Sequence, residues 1–274
     1  MKPPPAFTLA RLTARDLLAQ PLTRTALAAT AGLLFLSSFL PSFTLDGTQG
    51  DLKFLLDVGL ASTALCLGIL GLWPAATFLT DEISQRTAMT VLAKPLSRRD
   101  YLLGRYLGIL GSLAVSAVLL TSVLLLCAWL TEGQVLTAPL DLWLEGVADA
   151  VPEASALQVR WDLAGGVLLG LAQAAALSAL AVAFSIRLTP LATLASCLGV
   201  YLLGHAASSL PPGPWVLVLR ILLPDLELYD LSEAAARGIP IPASYAVGGL
   251  LYGGLYAAAS LAVAVRLFER REIV

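Results

Sequence analysis

Long runs without a charged side chain alternate along this chain with short basic or acidic clusters, and the runs outlast any strand or half-buried helix of a soluble fold. A bilayer-crossing helix needs about 20 consecutive apolar residues. Runs of that kind lie at about 25–43, 58–80, 106–131, 163–186, 188–210 and 241–265. The pattern predicts an all-α integral membrane protein with six transmembrane helices. The fifth is hard to end, because its charge-free run continues through Pro211-Pro212-Gly213-Pro214 to Leu219.

Composition agrees with a membrane solvent. Hydrophobic residues make up 58% of the 274, charged residues only 13%, and mean hydropathy is +0.82, whereas a soluble domain carries about 25% charge. The net charge of −2 conceals a segregation. Lys2, Arg11, Arg15 and Arg24 precede span one; Arg86, Lys94, Arg98, Arg99 and Arg105 lie between spans two and three; Arg187 separates four and five; Arg266, Arg270 and Arg271 follow six. Thirteen cations thus share one side, and four, Lys53, Arg160, Arg220 and Arg237, face the other. By the positive-inside rule both termini are expected in the cytoplasm. The expected location is a bacterial cytoplasmic (inner) membrane, crossed several times.

One membrane domain is expected over 25–265, preceded by an N-terminal cytoplasmic segment, 1–24, and followed by a cytoplasmic tail, 266–274. About twenty residues of mixed polarity before the first run argue that span one is retained rather than cleaved as a signal peptide. Phe7, Leu12 and Leu18 alternate with Arg11, Arg15 and Asp16, which suits a helix lying in the cytoplasmic interface or a plain basic flank that orients span one. Cys66, Cys127 and Cys197 fall inside spans without CxxC spacing and read as buried free thiols.

Several function classes lack their chemistry. Ion-coupled carriers hold carboxylates, His or Lys within their spans, and here spans two to six have essentially none at depth. Three Cys, two Met and one His, scattered, make no metal path and no metal site. His205, near the outer end of span five, reads as a helix-end hydrogen-bonding residue. No phosphate-cradling GxxxxGK[ST], HExxH or GxSxG occurs. The chain is therefore expected to be non-catalytic, with no cofactor of its own and no nucleic-acid partner, and any ATP and Mg belong to another chain.

The longest charged island, Asp81 to Tyr106, follows span two. Residues 81–94 can form a short amphipathic helix bearing Ile83, Met89 and Leu92, which Lys94-Pro95 breaks. Ser97 is a candidate N-cap answered by Asp100, and a second helix then runs into span three. Arg98 and Arg99 sit in its first turn, where the helix dipole disfavours cations. Anionic lipid headgroups, topology setting or an acidic cleft on a partner would each favour them.

The stretch Glu82-Ile83-Ser84-Gln85-Arg86-Thr87, Leu92-Ala93-Lys94-Pro95-Leu96-Ser97-Arg98 and Leu103-Gly104-Arg105-Tyr106-Leu107-Gly108 resembles the loop between spans two and three of type-2 ABC exporter permeases. The nearest branch includes the permease of the nitrous-oxide-reductase copper-maturation system and gliding-associated permeases. Phe184-Ser185-Ile186-Arg187-Leu188-Thr189-Pro190 resembles the family's junction of spans four and five. Leu223-Pro224-Asp225 through Asp230-Leu231 resembles its outer segment before span six, and Leu267-Phe268-Glu269-Arg270-Arg271-Glu272 its tail. The likeness covers most of the chain apart from 1–20 and the outer loop 132–161. Many members carry Gly where Arg86 stands here.

The resemblance implies the type V transmembrane fold, with a cytoplasmic coupling helix between spans two and three and a partly re-entrant outer segment between spans five and six. It also implies a permease paired with a second copy or a paralogue and carrying two cytoplasmic ABC ATPase subunits. By carry-over, Glu82, Arg86, Thr87, Lys94, Ser97, Arg98 and Arg99 dock the ATPase and transmit force. Tyr245, Tyr252 and Tyr256 fall close to one face of span six and line a lateral path for an amphipathic substrate, anchor the helix at the interface or simply pack. The pairs Gly104/Gly108, Gly166/Gly170 and Gly249/Gly253 have the small-xxx-small spacing of close helix contacts.

The expected function is the membrane subunit of an ATP-driven exporter or force transmitter. The alternative is a structural subunit that anchors an ATPase and a periplasmic protein without translocating anything, with 132–161 as its docking loop. A stand-alone carrier is a third, weaker reading. Membrane lipids are expected partners in every case.

Overall fold

The computed structural model describes residues 5–39, 47–84, 97–136, 156–206, 223–230 and 242–270. Among these residues the chain is helical, without a strand: α1 (Pro5–Ala19), α2 (Pro21–Ser37), α3 (Gly47–Ser84), α4 (Arg98–Leu136), α5 (Ala156–Ser185), α6 (Pro190–Ala206) and α7 (Ala243–Glu269), with one 3-10 turn at Glu227–Tyr229. Four helices are long and apolar enough to cross a membrane, over Phe54–Thr77, Arg99–Leu130, Leu163–Ser185 and Ala243–Glu269. This is a multi-pass membrane protein. The first and fifth expected spans appear as the 17-residue helices α2 and α6, about 25 Å each, and 40–46 and 207–222 lie outside the described residues.

Helix α5 is the hub. In its span 72% of the most apolar stretch is buried, against 28% for α7, and both α3 and α7 pack along it. Closely spaced small residues make this possible. A Cβ on Gly166 would lie 2.8 Å from Leu60 Cδ2, and one on Gly170 3.4 Å from the Ala64 Cβ. On α7, Gly249 sits against Leu169 of α5, and a Cβ on Gly253 would lie 3.3 Å from both Ala172 Cβ and its carbonyl oxygen. Between α4 and α5 the Tyr106 hydroxyl donates to the Ala175 carbonyl at 2.9 Å. The outward faces carry Val118, Leu251, Leu255 and Leu191, all exposed, as side chains solvated by lipid tails should be.

One face of the segment read as an interfacial helix or plain flank packs against protein, while Phe7 and Leu12 stay exposed on α1. Ala6 and Leu9 lie over Gly104, Ala10 and Thr13 over Gly108, and Ala14 over Gly111. The partners rise together in number, so α1 runs in the same sense as α4 for three successive turns. Thr13 is 1% exposed in this contact, and Leu17 also is buried. Gln20 adopts an extended conformation, and Pro21 then starts α2, a position where the missing N–H costs nothing.

One difference concerns the island. Asp81 and Glu82 do not open a separate helix; α3 runs on through Ser84. A helix once nucleated adds each further residue at little cost, and nothing between Trp73 and Ser84 breaks it except Pro74, which it accommodates.

Candidate functional site

Two places gather polar side chains. The first lies at the basic end, where α4 begins. Ser97 is its N-cap: its Oγ accepts the Asp100 N–H at 3.1 Å. Asp100 in the first turn suits the helix dipole. Arg99 pairs through its Nε with the Glu269 carboxylate at the last turn of α7 while its side chain stays 67% exposed. One turn on, the Tyr101 ring stacks on Phe268 of α7 at 6.3 Å. Arg105 lies 5.8 Å from the Tyr101 ring centre and donates to Thr13 Oγ1 of α1 at 3.0 Å. The start of α4 is therefore tied to both α7 and α1.

Of the residues expected to dock an ATPase, Ser97 and Arg99 have described side chains, both exposed. Glu82 and Arg98 stand on the described ends of α3 and α4. Arg86, Thr87 and Lys94 lie outside the described residues.

The second place is at the opposite end, between α3, α5, α6 and residues 223–230. A cavity of about 190 Å³ is bounded by Leu60, Ala64 and Leu65 of α3, Gly166 and Gln173 of α5, Tyr201 and His205 of α6, and Tyr229 and Asp230. His205 makes the expected helix-end bond, Nδ1–H to the Tyr201 carbonyl at 3.0 Å, and its ring lies 4.4 Å from the Tyr201 ring. Gln173 is 7% exposed and makes no hydrogen bond among the described residues. It stands near the middle of the Leu163–Ser185 span.

Three phenol contacts fix the outer wall of this cavity. The Tyr245 hydroxyl donates to the Leu228 carbonyl at 2.9 Å, the Tyr252 hydroxyl accepts the Asp225 N–H at 3.0 Å, and the Tyr229 hydroxyl donates to the Gly249 carbonyl at 3.3 Å. Burial first, then the neighbouring Tyr252 and Asp225, push the Tyr229 phenol up from its ordinary range and keep it a donor. Two of the three tyrosines singled out on α7 thus hold the outer segment. Tyr256, half-buried, lies on the same face.

Gln173 is neutral and leaves no mark in a pattern of ionisable groups at depth. Its signal was nevertheless present, as a lone amide inside an apolar run. Cys66, Cys127 and Cys197 are buried and in no disulfide, as expected. Among the described residues no group of His, Cys, Asp and Glu could hold a metal ion. Comparison with models of known protein families gives no match, and comparison with curated proteins gives none.

Proposed function

We propose that this chain is the membrane subunit of an ATP-driven ABC exporter, moved by a separate cytoplasmic ATPase that grips the segment between α3 and α4. The order of the four motifs and the segregation of thirteen cations to one side support the reading. The observation that carries it is continuity. The helices flanking the segment run unbroken for 38 and 39 residues, about 57 Å each, so each extends beyond the roughly 30 Å hydrocarbon core. A push on the short segment between them is delivered to two spans as rigid-body tilt. The ties from α4 to α7 and α1 would carry that tilt further, and coupling needs such contiguous contacts.

The test is replacement of Glu82 and Arg98 by Ala in the complex purified with its ATPase. Loss of ATPase binding, or of its stimulation by the membrane subunit, is expected. A double variant that binds and stimulates as the parent does overturns the assignment of that segment.

A further inference from the structure

We infer that the cavity between α3, α5, α6 and the outer segment is a binding site for a neutral, hydroxyl-bearing headgroup of a membrane amphiphile, of the glycerol or sugar type. The inference is independent of any ATPase and concerns what this chain holds by itself.

Three observations lead there. The first is Gln173. An amide that reaches no protein partner is satisfied by whatever fills the space beside it, and polar groups kept at membrane depth are usually functional. Its side chain lines the cavity floor and is more than nine-tenths buried. The second is the company it keeps. Tyr201 lines the same cavity and its hydroxyl also makes no hydrogen bond among the described residues, and an amide with a phenol offers donors and acceptors together. A hydroxyl, which both donates and accepts, matches that set. Among the described lining residues none is Lys or Arg, while Asp230 brings a carboxylate. A phosphate, sulfate or carboxylate headgroup therefore meets a carboxylate and no Lys or Arg among the described lining residues.

The third is the route in. The opposite wall is apolar, and its last residue, Leu65, is 62% exposed on the outward face of α3. The cavity wall thus passes directly into surface bathed by lipid tails, so a headgroup can enter sideways while its chain stays in the bilayer. A volume of about 190 Å³ far exceeds the 10–15 Å³ that one water needs.

The experiment uses the full chain in phosphatidylcholine nanodiscs and a monoacylglycerol carrying a diazirine near its glycerol. After irradiation, labelled peptides are mapped by mass spectrometry. Labelling is expected on residues 60–65 and 166–173, reduced at least fivefold in Gln173→Met and at least twofold in Tyr201→Phe. An alkyl sulfate with the same chain and diazirine should label less than one-fifth as much. Excess unlabelled monoacylglycerol should compete where free glycerol does not; competition by glycerol itself would instead assign the same chemistry to a soluble polyol. Thermal stability of ligand-free Gln173→Met should be unchanged or raised, since a structural amide would lower it on removal. Should Gln173→Met fail to fold, Tyr201→Phe carries the test, because it deletes one oxygen from a half-exposed ring. Equal labelling of parent and variants, or equal labelling by the sulfate, overturns the inference.

Discussion

Replacing Gly108 by Ala asks whether α1 is built onto α4 or merely lies near it. The new methyl would sit 2.5 Å from Thr13 Cβ, 2.8 Å from Thr13 Cγ2 and 2.9 Å from the Ala10 carbonyl oxygen. None of these is the end of a flexible side chain. Carbon contacts settle at about 3.5–4.0 Å, so the whole of α1 must retreat by about 1 Å. Overpacking of this kind costs about 1–3 kcal/mol. The retreat also stretches the Arg105 to Thr13 bond, 3.0 Å in the parent, beyond hydrogen-bonding distance, at about 1 kcal/mol. Alanine returns about 1 kcal/mol through its higher helix propensity. The net loss is then about 1–3 kcal/mol, roughly 5- to 150-fold in the balance between docked and released α1. Gly68→Ala is the control, because nothing lies within 4 Å of a Cβ there, and it should stabilise by up to about 1 kcal/mol. Detergent-purified variants can be compared by thermal unfolding and by the rate of tryptic cleavage at Arg11 and Arg15, both exposed on α1. If Gly108→Ala is as stable as Gly68→Ala and no faster to cleave, the packing argument is wrong.

Tyr252→Phe removes the acceptor of the Asp225 N–H, worth about 0.5–1.5 kcal/mol, so that amide should exchange with deuterium up to about tenfold faster; an unchanged rate would show that the phenol holds nothing. Gly253→Ala would place a methyl 2.7 Å from the Tyr229 hydroxyl and should speed exchange across 223–230 by displacing the turn. Cys66, Cys127 and Cys197, 2%, 1% and 0% exposed, should resist maleimide in the folded protein and react together as it unfolds. Fast labelling of any one before unfolding would contradict its placement.

What was legible in the sequence depended on whether the signal was local. The long spans could be read because a charge-free run has one solvent in which it is stable. Ser97 declared itself through Asp100 three residues on, and the helix-end role of His205 needed only the carbonyl four residues back. The glycine pairs announced close contacts but not their partners, since spacing on one helix does not say what lies against it. Phe7 and Leu12 stay exposed on α1, while the face against α4 is built from Leu9, Ala10 and Thr13, and only the structure shows that second face. The pairing of Arg99 with Glu269 spans 170 positions, and the ties from Tyr245 and Tyr252 to the outer segment likewise join distant elements. The charges of Asp81 and Glu82 suggested a boundary that helix continuation overrode. Gln173 is not legible there, because neutral amides leave no mark in a charge pattern.

If a partner drives α3 by its inner end, the helix must shift against α5, and the Gly166 to Gly170 stripe is where it would shift. An ideal Cβ on Gly170 lies 3.4 Å from the Ala64 Cβ, at the short edge of the roughly 3.5–4.5 Å that a disulfide bridges. With Cys66, Cys127 and Cys197 replaced by Ala, the pair Ala64→Cys and Gly170→Cys should therefore close on mild oxidation and lock α3 to α5. The wall bearing Leu60, Ala64 and Leu65 would then be fixed against Gln173, so the same bond probes both ends of α3. ATPase stimulation in the assembled complex should fall severalfold when the bond is closed and return on reduction, while each single variant behaves like the parent. Full stimulation with the bond shown closed by mass spectrometry would mean that α3 and α5 move as one body, and the lever would have to be α4 alone, acting through Arg99 on α7 and through Arg105 on α1.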